Sequence, residues 1–155
     1  MRVQKRIVIN ALPEMIWPFL VDPEKILQWC FTLESFQYTS GQKGGKDATF
    51  RYVEKGEVHR LEVDCVITEW IEHRRISFQM TEGTHFKSYI ERWEIVPAGE
   101  VSTFLFDQEI KMPYGIIGDL IGIYRAKRAA KVVEGMLVKL KEVVENPRTS
   151  TQQET

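Results

Sequence analysis

Cysteine and histidine are scarce, and their scarcity removes two kinds of chemistry. The chain holds two cysteines, Cys30 and Cys65, and three histidines, His59, His73 and His85. Two distant cysteines do not make a disulfide scaffold; free thiols in a reducing cytoplasm are expected. A zinc site needs His or Cys ligands closely spaced along the chain or one turn apart on a helix. The histidines and cysteines here lack that spacing, so no metal is expected. Charge of one sign is missing too. The net charge is -1, which gives no overall pull toward nucleic acid or an anionic membrane. No apolar run approaches the roughly 20 residues that span a bilayer. The opening "MRVQKRIVIN" alternates apolar and polar residues and lacks the continuous apolar stretch of a signal peptide. There is no G-x-S-x-G, and Ser77 and Ser88 sit in ordinary strand context, so no serine triad can be argued.

What is present is an ordinary globular mixture. Of 155 residues, 43% are hydrophobic and 28% charged. That length fits one domain, expected over 1–146, and buries enough surface for a core that encloses a cavity. The remainder, 147–155, is a polar tail expected to be disordered. Val3, Ile7 and Ile9 alternate with polar residues in a first strand. "ALPEMIWPFLVDPEKILQWC" follows and predicts two short helices, broken near Pro18 and again at Asp22-Pro23. "GQKGGKD", Gly41 to Asp47, is a turn cluster. Strand patterns then recur in "ATFRYVEKG", "EVHRLEVDCVITEWI", "RRISFQMTEG", "THFKSYIERWEIV" and "VSTFLFDQEIKM". Their short turns predict an antiparallel sheet, of about seven strands in all. In the last segment Phe104, Phe106, Ile110 and Met112 share a face that also carries Gln108. A long helix from about Tyr114 to Glu145 closes the chain. Ala126, Ala130, Val133, Met136, Leu137, Leu140 and Val144 form its apolar stripe.

The junction "MPYGIIGDLIG", Met112 to Gly122, holds Gly115, Gly118 and Gly122. A phosphate loop needs a cation where Asp119 stands, and a parallel fold around it. The same aspartate interrupts the short apolar run, which argues against a membrane segment. A close-packed strand-to-helix junction fits best. A second reading is a gate, because each glycine weakens a helix by up to about 1 kcal/mol.

The running order "ALPEMIW", "DPEKILQW", "GQKGGKDATF", the strands, "EIKMPYGIIGDLI" and a final "LVKLKEVVE" resembles the START-like superfamily, also called SRPBCC, over residues 2 to 146. Pro18 departs from the usual pattern in the first helix. The resemblance implies an α+β helix-grip fold: a curved antiparallel sheet wrapped around the C-terminal helix, with a largely apolar cavity between. It does not imply one activity, because the superfamily holds polyketide cyclases, lipid-transfer domains and other binders.

Candidates for chemistry follow from strand parity. Tyr89, Trp93 and Ile95 share a face with Glu91. If that face is inside, burial raises the carboxyl pKa and Glu91 becomes a weak candidate for general acid or base. The opposite register turns Phe86, Ile90, Arg92 and Val96 inward instead, and the strand's mixed faces leave both open. Cys65 with His59 is a conceivable nucleophile pair, against the simpler reading of a packed thiol. Phe50, Tyr52, Phe78, Met80, Tyr89, Trp93, Phe104 and Phe106 could line the concave face with Glu91, and Leu120 and Tyr124 could line the helix side. The expected function is binding or transport of a small hydrophobic molecule without a cofactor. The alternatives are a cofactor-independent cyclase or dehydratase, and a protein-interaction module. The basic set from Tyr124 to Lys131 reads as a solvated face. With Ile116, Ile117 and Ile121 nearby, it is also a possible site of transient membrane contact.

Overall fold

Strand alternation on one half of the chain and a single amphipathic helix on the other dictate a two-layer arrangement, because each has one apolar face to hide. The computed structural model describes residues 1–56, 60–83, 86–113 and 115–147, with the helix backbone alone from 115 to 125. Seven strands form one antiparallel sheet: β1 Arg2–Ile9, β2 Leu33–Tyr38, β3 Thr49–Glu54, β4 Leu61–Ile71, β5 Arg75–Glu82, β6 Ser88–Ala98 and β7 Val101–Lys111. Their spatial order is β1-β7-β6-β5-β4-β3-β2. The first two strands therefore lie at opposite edges, and the helices between them carry the chain across. Register shifts on β4, between Asp64 and Cys65 and between Ile67 and Glu69, are the irregularities that bend a strand and increase twist. They help the sheet curl.

The two expected short helices form three segments, α1 Pro13–Ile16, α2 Pro18–Val21 and α3 Pro23–Trp29; Trp17 between the first two keeps helical dihedrals, so α1 and α2 are one helix interrupted before Pro18. Each starts on a proline, whose fixed φ suits a first turn and whose missing N–H is no loss there. Pro18 thus begins the second segment. Asp22 caps α3 by accepting from the Glu24 N–H at 3.0 Å. β2 is the strand whose pattern the sequence does not announce. Its residues are half-buried or exposed with little one-sided alternation, as an edge position allows.

α4 runs from Gly115 to Glu145, 31 residues. Val133, Met136, Leu137, Leu140 and Val144 are buried along it. Its C-terminal half packs on β1 and α3. Lys141 donates to the Val8 carbonyl at 2.8 Å and to Glu145 at 2.7 Å, while Glu145 accepts from the Asn10 N–H at 2.7 Å. Lys5 pairs with Glu134. Inside, a run of aromatic contacts crosses the concave face: Trp29 to Trp93 at 5.3 Å, Trp93 to Phe78 at 5.3 Å, Phe78 to Phe50 at 5.1 Å, then Phe50 stacked on Phe36 at 4.7 Å. No helix among the described residues is long and apolar enough to cross a membrane. The tail beyond Pro147, His59 and His85 lie outside the described residues.

Candidate functional site

Antiparallel pairing sets β6 between β5 and β7, and parity decides which side chains meet inside. Tyr89, Glu91, Trp93 and Ile95 are buried, while Ile90, Arg92 and Val96 are exposed. The structure therefore turns Glu91 inward and Arg92 outward. Phe78 on β5 and Gln108 on β7 stand opposite Glu91 in register. Arg92 reaches Ser77 on the outer face at 3.4 Å and adds to the positive field at Asp107.

Glu91 is 4% exposed. A carboxyl group this deep is costly unless its oxygens are satisfied. Three donors satisfy them. Tyr89 O–H bonds Oε2, Trp93 Nε1–H bonds Oε1, and Gln108 Nε2 bonds Oε2 at 2.9 Å. Gln108 Nε2 also donates to the Tyr89 oxygen at 3.1 Å. Tyr52 on β3 lies within hydrogen-bonding reach of Tyr89, with ring centroids 6.3 Å apart. Among the described residues every hydrogen-bond partner of Glu91 is neutral. Burial accordingly dominates and pushes its carboxyl up to about 7; the donors from Tyr89, Gln108 and Trp93 pull the other way, and the charge of Glu54 adds to the rise. Burial also pushes the Tyr89 and Tyr52 phenols well up.

The aromatic residues expected at the site fall on the same inner face. Phe50, Tyr52, Phe78, Tyr89, Trp93, Phe104 and Phe106 are buried, and Met80 is half-buried. Leu120 and Tyr124, expected on the helix wall, lie outside the described side chains, as do Gly118 and Gly122 of the expected gate. Between Phe50, Phe78, Trp93 and Trp70 the inner face leaves a void of about 10 Å³, the scale of a single water. At this point of the inner face the rings pack against one another without a ligand-sized gap. A second, half-open groove of about 630 Å³ lies on the other side of the sheet, along Arg2, Arg6, Arg92, Glu94, Leu105 and Asp107. Its charges are partly matched: Arg2 holds Asp107 at 2.7 Å, and Glu94 is held by Arg75 at 2.9 Å.

Parity alone puts Gln108 on the inner face, but nothing in the sequence marks its amide as a carboxylate partner. Cys65 is buried on β4, and burial pushes its thiol far above the ordinary range, with the Glu91 and Asp64 charges adding. A thiol so perturbed packs rather than attacks. Among the described residues no cluster of His, Cys, Asp and Glu could hold a metal ion.

The family described as polyketide cyclase / dehydrase and lipid transport matches residues 1–145. The chain belongs to that family. Solved structures of this helix-grip, START-like fold lie close to it. TTHA0849 from Thermus thermophilus superposes with a TM-score of 0.79 at 23% identity, covering 95% of this chain and 99% of that one. A START superfamily protein from Mycobacterium smegmatis gives 0.76 at 19%, covering 94% and 97%. The ginseng major latex-like protein 151 from Panax ginseng gives 0.65 at 9%, covering 92% and 95%. At these identities the likeness shows the fold. No curated protein sequence matches the chain. For a member of the polyketide cyclase / dehydrase and lipid transport family, the Glu91 cluster is the feature of the inner face that most needs a function.

Proposed function

We propose that this protein binds a small hydrophobic molecule against the inner face of the sheet, under α4, and holds the molecule's polar end at the Glu91 cluster. The observation that carries this reading is a carboxyl group 4% exposed, surrounded by aromatic rings and satisfied by neutral donors. Ligand pockets combine apolar walls with a few placed polar groups, and Phe78, Trp93, Phe104 and Phe106 supply such a wall. A purely structural role for Glu91 would be better served by a hydrophobic residue of similar size, since a buried charge rarely adds net stability. The buried free thiols fit work in a reducing cytoplasm. Native mass spectrometry of freshly purified protein tests the reading. A co-purified hydrophobic molecule, released on mild denaturation, is the expected outcome. Protein that is ligand-free and shows no change in mass or melting temperature with any of a panel of hydrophobic molecules would remove it.

A second reading has its own support. Glu91, pushed up to about 7, touches Tyr89, itself pushed well up. Paired titratable groups with shifted pKa values mark acid–base sites. On this reading Glu91 removes a proton from a carbon beside a bound ketone, as a cyclase or dehydratase requires. Deuterium exchange into an aryl methyl ketone, lost in Glu91→Gln, separates this from binding alone.

A further inference from the structure

The cluster's hydrogen bonds can be counted donor by donor, and the count points to the chemistry of the ligand. A tyrosine hydroxyl has one proton and two lone pairs; a glutamine amide has two N–H donors; an indole has one N–H; an ionised carboxylate only accepts. The Tyr89 proton goes to Glu91, as does the Trp93 proton. The Gln108 amide donates to Glu91 at 2.9 Å and to Tyr89 at 3.1 Å. Tyr89 has already given its proton to Glu91 and has none left for Tyr52. The donors of Tyr89, Trp93 and Gln108 are therefore spent within the cluster, and the Tyr52 O–H stands outside that count. What it retains among the described residues is acceptor capacity: the Gln108 Oε1, the lone pairs of Tyr52, and the second lone pair on Glu91 Oε1.

Charge points the same way. The titratable groups felt at or around Glu91 are Tyr89 on its own strand, Tyr52 and Glu54 on β3, Cys65 on β4 and Cys30 after α3. All are acids whose pKa burial raises, and none supplies a positive charge. A second anion placed here would meet a carboxylate with no cation between them among the described residues.

We infer that the cluster selects the polar end of its ligand, accepting a neutral hydrogen-bond donor such as an alcohol or phenol O–H on a hydrophobic frame and rejecting a carboxylate. The inference rests on the reading that the inner face holds a ligand, and it narrows that ligand's class. A bound hydroxyl donates to Gln108, Tyr52 or Glu91 without breaking an existing bond. Among the described residues a carboxylate would find at most the Tyr52 O–H, and would otherwise have to displace Tyr89 or Trp93 from Glu91, leaving buried polar groups unpaired.

A matched pair of probes tests this on the full chain. 2-Naphthol and 2-naphthoate share a frame and differ at the polar end. Each is titrated into 15N-labelled protein at a pH where Glu91 is ionised. The Trp93 indole N–H signal, assigned with Trp93→Phe, reports binding at the cluster itself. The expected result is that 2-naphthol shifts this signal and binds at least about tenfold more tightly than 2-naphthoate, the scale of one hydrogen bond. Glu91→Gln, which exchanges an acceptor for an amide N–H, should narrow or reverse the preference. Equal affinities at the wild-type site, or tighter 2-naphthoate, with the indole signal moving, would overturn donor selection and leave the ligand reading standing. If neither compound moves the Trp93 signal, the ligand reading falls for such molecules and this inference falls with it.

Discussion

Glu91 ties the site to stability, because its carboxyl holds protons more tightly folded than unfolded. Its ordinary value is 4.5 and its folded value about 7. Between those values the folded state binds more protons than the unfolded state, so this group's contribution falls as pH rises from about 4.5 to about 7 and is flat above. At 1.36 kcal/mol per pKa unit the loss is on the order of 3 kcal/mol. Urea unfolding of wild type and Glu91→Gln across that window is the check. The difference between them should move in favour of Glu91→Gln as pH rises, and a constant difference would mean Glu91 is not buried as described. A second residue, Gly44, is held by geometry alone. Its φ is +116°, and a Cβ there would sit 2.8 Å from the Trp70 ring. Gly44→Ala should cost on the order of 1–3 kcal/mol of backbone strain and crowding. It should also disturb the edge contact of Trp70 with Trp17 at 5.1 Å, visible in near-UV circular dichroism. At this scale the sequence is legible up to parity and no further. The shared face of Tyr89, Glu91 and Trp93 can be read from alternation. The choice between Glu91 and Arg92 cannot, because each face carries both aromatic or apolar residues and a charge; pairing with β5 and β7 decides it. The donors that Gln108 and Trp93 supply come from neighbouring strands or rotamers, which a linear pattern does not encode.

Elements differ in how openly they announce themselves. α4 is legible because its stripe repeats at helical spacing over many turns, and β6 and β7 because buried residues alternate along them with exposed or half-buried ones. β2 is not, since an edge strand covered only in part has no clean alternation. The short helical segments are marked by their prolines, each of which starts a segment, and the break before Pro18 falls where the sequence places it. The stripe on α4 makes a quantitative demand. Leu140 is fully buried whereas Val138, two residues earlier, is 59% exposed. Leu140→Ala should therefore cost about 2–5 kcal/mol through lost burial and the cavity left behind. Val138→Ala should stay within about 0.5 kcal/mol, as surface changes do. Thermal melts of the two variants check this directly; equal effects would show that the helix sits in a different rotation from the one described.

The whole molecule is one sheet closed by one helix, and its parts depend on each other across the full length of the chain. Among the described residues β1 pairs only with β7, α4 packs on β1, and α3 packs on α4. No subset of strands and helices has a complete core. Unfolding should be a single cooperative event, with tryptophan fluorescence and far-UV circular dichroism tracing coincident transitions in urea. Separated transitions would mean that α4 leaves the sheet before the sheet melts. The strand order also bears on how the protein is made. Ile9, fully buried in the finished fold, stands opposite Ser102 in register. At synthesis rates of roughly 5–20 residues per second, the first strand waits several seconds with its backbone edge and apolar face uncovered until its partner is made. The last helix, which covers that face, comes later still. The growing chain therefore carries an adhesive edge through most of translation, and anything that slows the ribosome before the seventh strand lengthens the interval in which a chaperone, or another nascent chain, can take that place.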